Sequence, residues 1–140
     1  MSSRSKGSVL MLMPAGVLVV LLLGAISFDL SLLFLRQRQT SSVAIDVAND
    51  LASIAIDEAA FRATGSFILD PDRADPLGRS LVDQSDLAGD VVDVEIAVLD
   101  PTTVEVTLTV EVDYVFAKSI PGAADGTTVT AAATAVAMPG

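Results

Sequence analysis

Eighteen carboxylates, with no histidine and no cysteine, leave this 140-residue chain few ways to do chemistry. Imidazole bases, thiol nucleophiles, disulfides and thiolate or imidazole zinc sites are excluded together. What remains is carboxylate chemistry: acid–base work by a matched pair, or an oxygen-lined cation site. Asp70, Asp72 and Asp75 stand close enough to suggest a calcium loop. Pro71 and Pro76 interrupt it, and the turning glycine and closing glutamate of an EF-hand are missing. Capping of a helix by Asp70 and Asp75, each followed by a proline suited to a first turn, is the better account. Glu105, Glu111 and Asp113 share the polar face of an alternating run, where a solvated face is far commoner than a catalytic one. Ser, Lys and Tyr occur without a nucleophile motif. No catalytic, cofactor-binding or metal-ligating residue is assigned, and the chain is read as non-enzymatic.

One carboxylate stands apart. Asp29 interrupts an otherwise apolar run over residues 8–35 that begins directly after Gly7. As a helix this run reaches ~42 Å at ~1.5 Å per residue, against a hydrocarbon core of ~30 Å. Without water in lipid every backbone amide must be paired internally, which a single segment achieves only as a helix. A cleaved secretory signal would have an apolar stretch of roughly 7–15 residues followed by a polar mature start. Here the uncharged segment is longer and more apolar helix follows it, so a single-pass membrane anchor is expected. Asp29 lies 21 positions beyond Ser8, ~32 Å along the helix, where the far headgroup layer begins. That height lets it stay ionised in the interface; the alternative is pairing with a neighbouring subunit's cation or N-terminus. Pro14 removes one helical hydrogen bond and should kink the first turns. Gly16 and Gly24 do not form a GxxxG pair, so no specific dimer motif is supported.

Charge divides along the same line. Arg4, Lys6, Arg36 and Arg38 oppose Asp29 alone in the first 40 residues, whereas the other four cations face the remaining 17 acids. Arg4 and Lys6 with the α-amine, set against Arg36 and Arg38, favour a cytoplasmic N-terminus and an extracytoplasmic C-terminal domain at the cell membrane. An acidic domain repels phosphate backbones and anionic lipid headgroups, so nucleic acid is not an expected partner; membrane lipid is an expected partner of the apolar stem.

Four segments must position these groups: a basic leader (1–7), a transmembrane helix (8–35), an amphipathic continuation (36–64) and a small α+β domain (65–140). Residues 40–63 contain no glycine or proline. Val43, Val47, Leu51, Ile54 and Phe61 fall on one stripe with Ala44, Ala48 and Ala55 beside it, opposite Asp46, Asp50, Ser53 and Asp57. Gly65 is the expected stop. A second helix follows the Asp-Pro pairs, weakened by Gly78 and closed by Gly89. Three strands come next. Val92, Val94, Ile96 and Val98 alternate with Asp93, Glu95 and Ala97, then Val104, Val106, Leu108, Val110 and Val112 alternate with polar residues, then Val129, Ala131, Ala133, Ala135 and Ala137 form the third run. Three antiparallel strands cannot cover their own apolar face, and the amphipathic half of the long helix is the expected lid.

A basic leader ending in Lys6-Gly7-Ser8, an apolar stretch with Pro14, the exit Gln37-Arg38-Gln39 and the alanine-rich residues 43–60 together resemble the TadE/TadG-like proteins of tight-adherence (Flp) type IV pilus and secretion systems. The resemblance covers about the first 60 residues. It implies a pilin-like fold and a role as minor subunit or membrane-anchored assembly factor. It also implies other pilin-like or pilus-assembly subunits as partners and prepilin peptidase cleavage between Gly7 and Ser8. Pro14, Asp29, Val43, Val47, Leu51, Ile54 and Phe61 become the stem-packing candidates. Processed members of the family carry glutamate at the fifth residue after the glycine, and Leu12 stands there instead, which points towards the TadG-like branch. The contrasting reading is a single-pass protein whose acidic domain binds a ligand or partner outside the cell.

Overall fold

The computed structural model describes residues 5–138, with side chains from Leu12 onward. Between Gly24 and Ile54 no glycine or proline interrupts the chain, and helix α1 (Ser5–Ile54) runs for 50 residues, ~75 Å, straight through the polar residues 37–42. The expected continuation to residue 64 does not occur. Ile56 leaves the helix to form an antiparallel bridge with Leu69. Asp57 N donates to the Ile68 carbonyl at 2.7 Å and Asp70 N to the Ala55 carbonyl at 2.8 Å. Local propensity permits helix here, and tertiary hydrogen bonds override it. Asp57 then caps a separate helix, α2 (Glu58–Thr64), by accepting from Ala59 N and Ala60 N. Gly65 ends α2 in a left-handed conformation (φ 70°), as its place after the last apolar residue requires.

Helix α3 (Pro71–Asp83) starts as the sequence implies, with Asp70 accepting from Asp72 N and Pro71 in the first turn. The second Asp-Pro pair does not open a helix; it lies inside α3, where Asp75 pairs with Arg79 at 3.0 Å. The helix stops at Asp83, short of Gly89. Gly78 is buried, with the side chains of Ile96 and Leu51 over its Cα, so its value is in close packing and outweighs the propensity it costs.

Strands β1 (Val91–Asp100), β2 (Thr103–Asp113) and β3 (Gly126–Val136) form an antiparallel sheet in the order β1-β2-β3. Val94 and Ile96 pair with Leu108 and Val106, which pair in turn with Ala131 and Ala133. All five apolar positions of β2 are buried. A register shift between Val91 and Asp93 turns Val92 outward, against the simple alternation, and Val91 packs on the core in its place. α1 lies over β2 and β3, and α3 lies over β1, so two helices together cover one sheet face. The described residues are therefore α+β, with three α-helices and one three-stranded sheet.

The face of α1 that serves as the lid combines alanines with Val47 and Leu51. Buried or half-buried positions recur every three or four residues from Asp29 through Leu33, Arg36, Thr40, Ala44, Val47 and Leu51 to Ala55. Alanines occupy its centre, opposite Ala135 and Ala137 of the C-terminal segment, which lets the helix backbone approach the sheet. Val47 and Leu51 are buried and Val43 is partly so, as expected. Ile54 and Phe61 are not in this stripe: they are 46% and 42% exposed, and Phe61 packs on Phe67 instead.

Candidate functional site

Where α1 meets the sheet domain, a carboxylate organises a loop. Asp29 is only 6% exposed, on the helix face turned towards the chain between β2 and β3. One of its oxygens accepts from Val115 N at 2.9 Å and Phe116 N at 3.2 Å; the other accepts from Phe116 N at 3.2 Å and Ala117 N at 2.9 Å. Residues 117–119 form a single 3₁₀ turn that has no capping side chain of its own. Asp29 supplies that cap from 87 residues away, through charge-assisted hydrogen bonds. Phe28, the residue before Asp29 on the helix, meets Phe116 edge to face, with ring centroids 5.4 Å apart. Loop and helix are thus joined by a polar clamp and an aromatic contact on adjacent helix residues.

Above this junction, Arg36 of α1 reaches Asp90, the residue before β1, at 3.1 Å. The pair sits at the edge of a cleft of about 320 Å³ that also includes Leu32, Val91, Glu111, Asp113 and Val115. Further along, the Gln37 side-chain amide donates to the Thr130 carbonyl of β3 at 3.3 Å. The Thr40 hydroxyl, fully buried, donates to the Arg36 carbonyl at 2.8 Å, so it brings no unsatisfied group into the core. These contacts fix the helix against the sheet; they assemble no nucleophile, base and oxyanion donor around a common point. Among the described residues no three carboxylates converge closely enough to hold a metal ion; the Asp70 carboxylate caps α3 by accepting from Asp72 N, and that of Asp75 pairs with Arg79.

The sequence candidates are therefore dispersed. Val43, Val47 and Leu51 meet in the core, Ile54 and Phe61 lie outside it, and Pro14 lies in the exposed part of α1. The helix backbone passes through Gly7 and Ser8 without interruption; the side chain of Ser8 and residues 1–4 of the basic leader lie outside the described residues. Asp29, expected to stay ionised at the interface, is buried against amides of its own chain, which donate to both of its carboxylate oxygens. The partners Val115, Phe116 and Ala117 carry no side-chain signal of this role; an acid in an apolar run was the only trace of it in the sequence.

Among the described residues α1 is the one helix long and apolar enough to cross a membrane. Its residues 12–24 stand clear of the sheet domain, with Leu12 64%, Val20 68% and Leu23 59% exposed. No family model, curated protein or solved structure matches the chain.

Proposed function

We propose that the protein is a single-pass membrane protein of the pilin-like type, a minor subunit or resident assembly factor of a tight-adherence pilus or secretion apparatus, and that it works by packing and contact without catalysis. The observation that carries this reading is the division of one continuous helix at Phe28 and Asp29. Before that point apolar side chains are bare; after it a stripe of small residues backs an antiparallel sheet. Exposing so many large side chains to water is costly, at ~25 cal/mol per Å² of apolar surface, and lipid or the stems of other subunits remove that cost. From Ser8 to Asp29 the helix rises ~32 Å, enough to cross the hydrocarbon core. The N-terminus is placed in the cytoplasm and the sheet domain outside, following Arg4 and Lys6. The Lys6-Gly7-Ser8 leader and the alanine-rich residues 43–60 add the TadE/TadG-like resemblance and make prepilin peptidase and neighbouring stems the proposed partners.

Intact-mass measurement on protein extracted from native membranes tests the reading. Loss of residues 1–7 supports a subunit that enters a filament, and a full-length chain supports a resident assembly factor such as the TadG-like branch. A chain beginning near Phe28 and recovered in the aqueous fraction overturns the proposal. The contrasting reading, a tethered ligand-binding domain, predicts that a chain shortened to residues 28–140 keeps the biological activity of the whole; the pilin-like reading predicts that it loses it.

A further inference from the structure

We infer that the loop between β2 and β3 is a second membrane contact, inserting its apolar tip into the headgroup layer of the bilayer that α1 crosses. This rests on the membrane-anchor reading above. Val115, Phe116 and Ile120 are 43%, 45% and 51% exposed, an unusual cluster for a short loop on an acidic domain. Charge sets this loop apart. Residues 114–124 contain no acid and one cation, Lys118, whereas the chain beyond residue 40 has 17 acids and only four cations. Anionic headgroups repel an acidic surface and attract a lysine, so this stretch is the part of the domain suited to approach them.

Position supplies the occupant. The four hydrogen bonds to Asp29 and the Phe28–Phe116 contact pin the loop at the height on α1 where the bare apolar segment ends. That height is where the headgroup layer of a spanned bilayer begins, given ~1.5 Å of rise per residue. Aromatic rings and a lysine with an apolar stem are the side chains that settle in that layer. Asp113 and Asp125, the nearest acids in sequence, lie at the strand ends, where Tyr114 N donates to the Asp125 carbonyl and closes the loop behind its tip. The loop and the stem then grip the bilayer at two points, which would fix the rotation and tilt of the domain, where a lone helix leaves both free.

The chain has no tryptophan, so a single introduced indole reports its own depth. Ile120→Trp and Phe116→Trp, each in the full chain reconstituted in equimolar phosphatidylcholine and phosphatidylglycerol vesicles, are compared with Leu21→Trp in the stem and Leu99→Trp at the opposite end of the sheet. The probe is phosphatidylcholine brominated near the top or near the end of its acyl chains. Blue-shifted emission from Ile120→Trp and Phe116→Trp, with strong quenching by the shallow bromines and little by the deep ones, is the expected result, with Leu99→Trp unaffected. Quenching of Leu21→Trp while both loop indoles match Leu99→Trp overturns the loop contact and leaves the anchor standing. Failure to quench Leu21→Trp as well overturns both.

Discussion

Asp29 is held by amide groups where a cation would have been the obvious partner for a lone acid in an apolar helix. Removing its side chain strips the residue 115–117 amides of their acceptor, and the 3₁₀ turn loses its only side-chain cap. Asp29→Ala is therefore expected to lower the melting temperature and speed amide hydrogen exchange at Val115, Phe116 and Ala117, with Asp29→Asn intermediate because one oxygen acceptor survives. Unchanged exchange at those amides in Asp29→Ala would refute the clamp. At the other end of the sheet Asp100 plays a similar local part. A hydrogen bond from Thr102 N at 2.8 Å, joined by the Thr103 and Thr102 hydroxyls, holds its carboxyl below the ordinary carboxylate range. A group whose folded pKa is depressed stabilises the fold above its unfolded value, and that contribution fades as pH falls through the folded one. The melting temperature is thus expected to fall in acid, and Asp100→Ala to flatten that decline while leaving the neutral range lower. Asp29 itself stood out in the sequence as the one acid in an apolar run. Its partners did not, because backbone amides 86 to 88 positions away leave no residue-type signature.

Elements were legible where one periodicity acted alone. The β2 alternation of Val104 through Val112 is buried without exception, and the Asp70-Pro71 start of α3 and the Gly65 stop of α2 carry their own local chemistry. The lid face of α1 was harder, because large apolar residues and alanines compete for the same stripe. The sheet draws Ala44, Ala48, Leu51 and Ala55 inward together and leaves Ile54 half in solvent, so the lid face is turned towards the alanine side of the expected stripe. Leu51→Ala is accordingly expected to destabilise the folded unit by about 2–5 kcal/mol, and Ile54→Ala by well under half as much. Chemical denaturation in detergent micelles measures both, and equal losses would place the stripe wrongly. The break after Ile54 was hidden because no glycine or proline marks it. Only Asp57 ahead of Glu58, a cap followed by a first-turn acid, signalled a fresh start. The outward turn of Val92 was hidden for a similar reason, since a register shift obeys pairing geometry and has no residue code of its own.

For the whole molecule, one helix is asked to satisfy two environments in succession, and the sequence divides at Asp29 in hydropathy, charge and packing together. Residues 12–24 present apolar surface on every side, while the chain from Asp29 onward packs into a domain with an excess of acid. That division was readable from composition. The docking of the sheet as far back along α1 as Asp29 was not, since it depends on the length and turn of a loop with no strong pattern. On the proposed topology, the bare half of α1 lies in lipid while the domain projects outside the cell. The chain lacks cysteine, so single thiols placed at Val17→Cys and Ser42→Cys test this directly with a membrane-impermeant maleimide. The account predicts that Ser42→Cys is labelled on intact cells and that Val17→Cys is labelled only once the membrane is dissolved and the protein denatured. Equal labelling of both thiols with the membrane intact would contradict it.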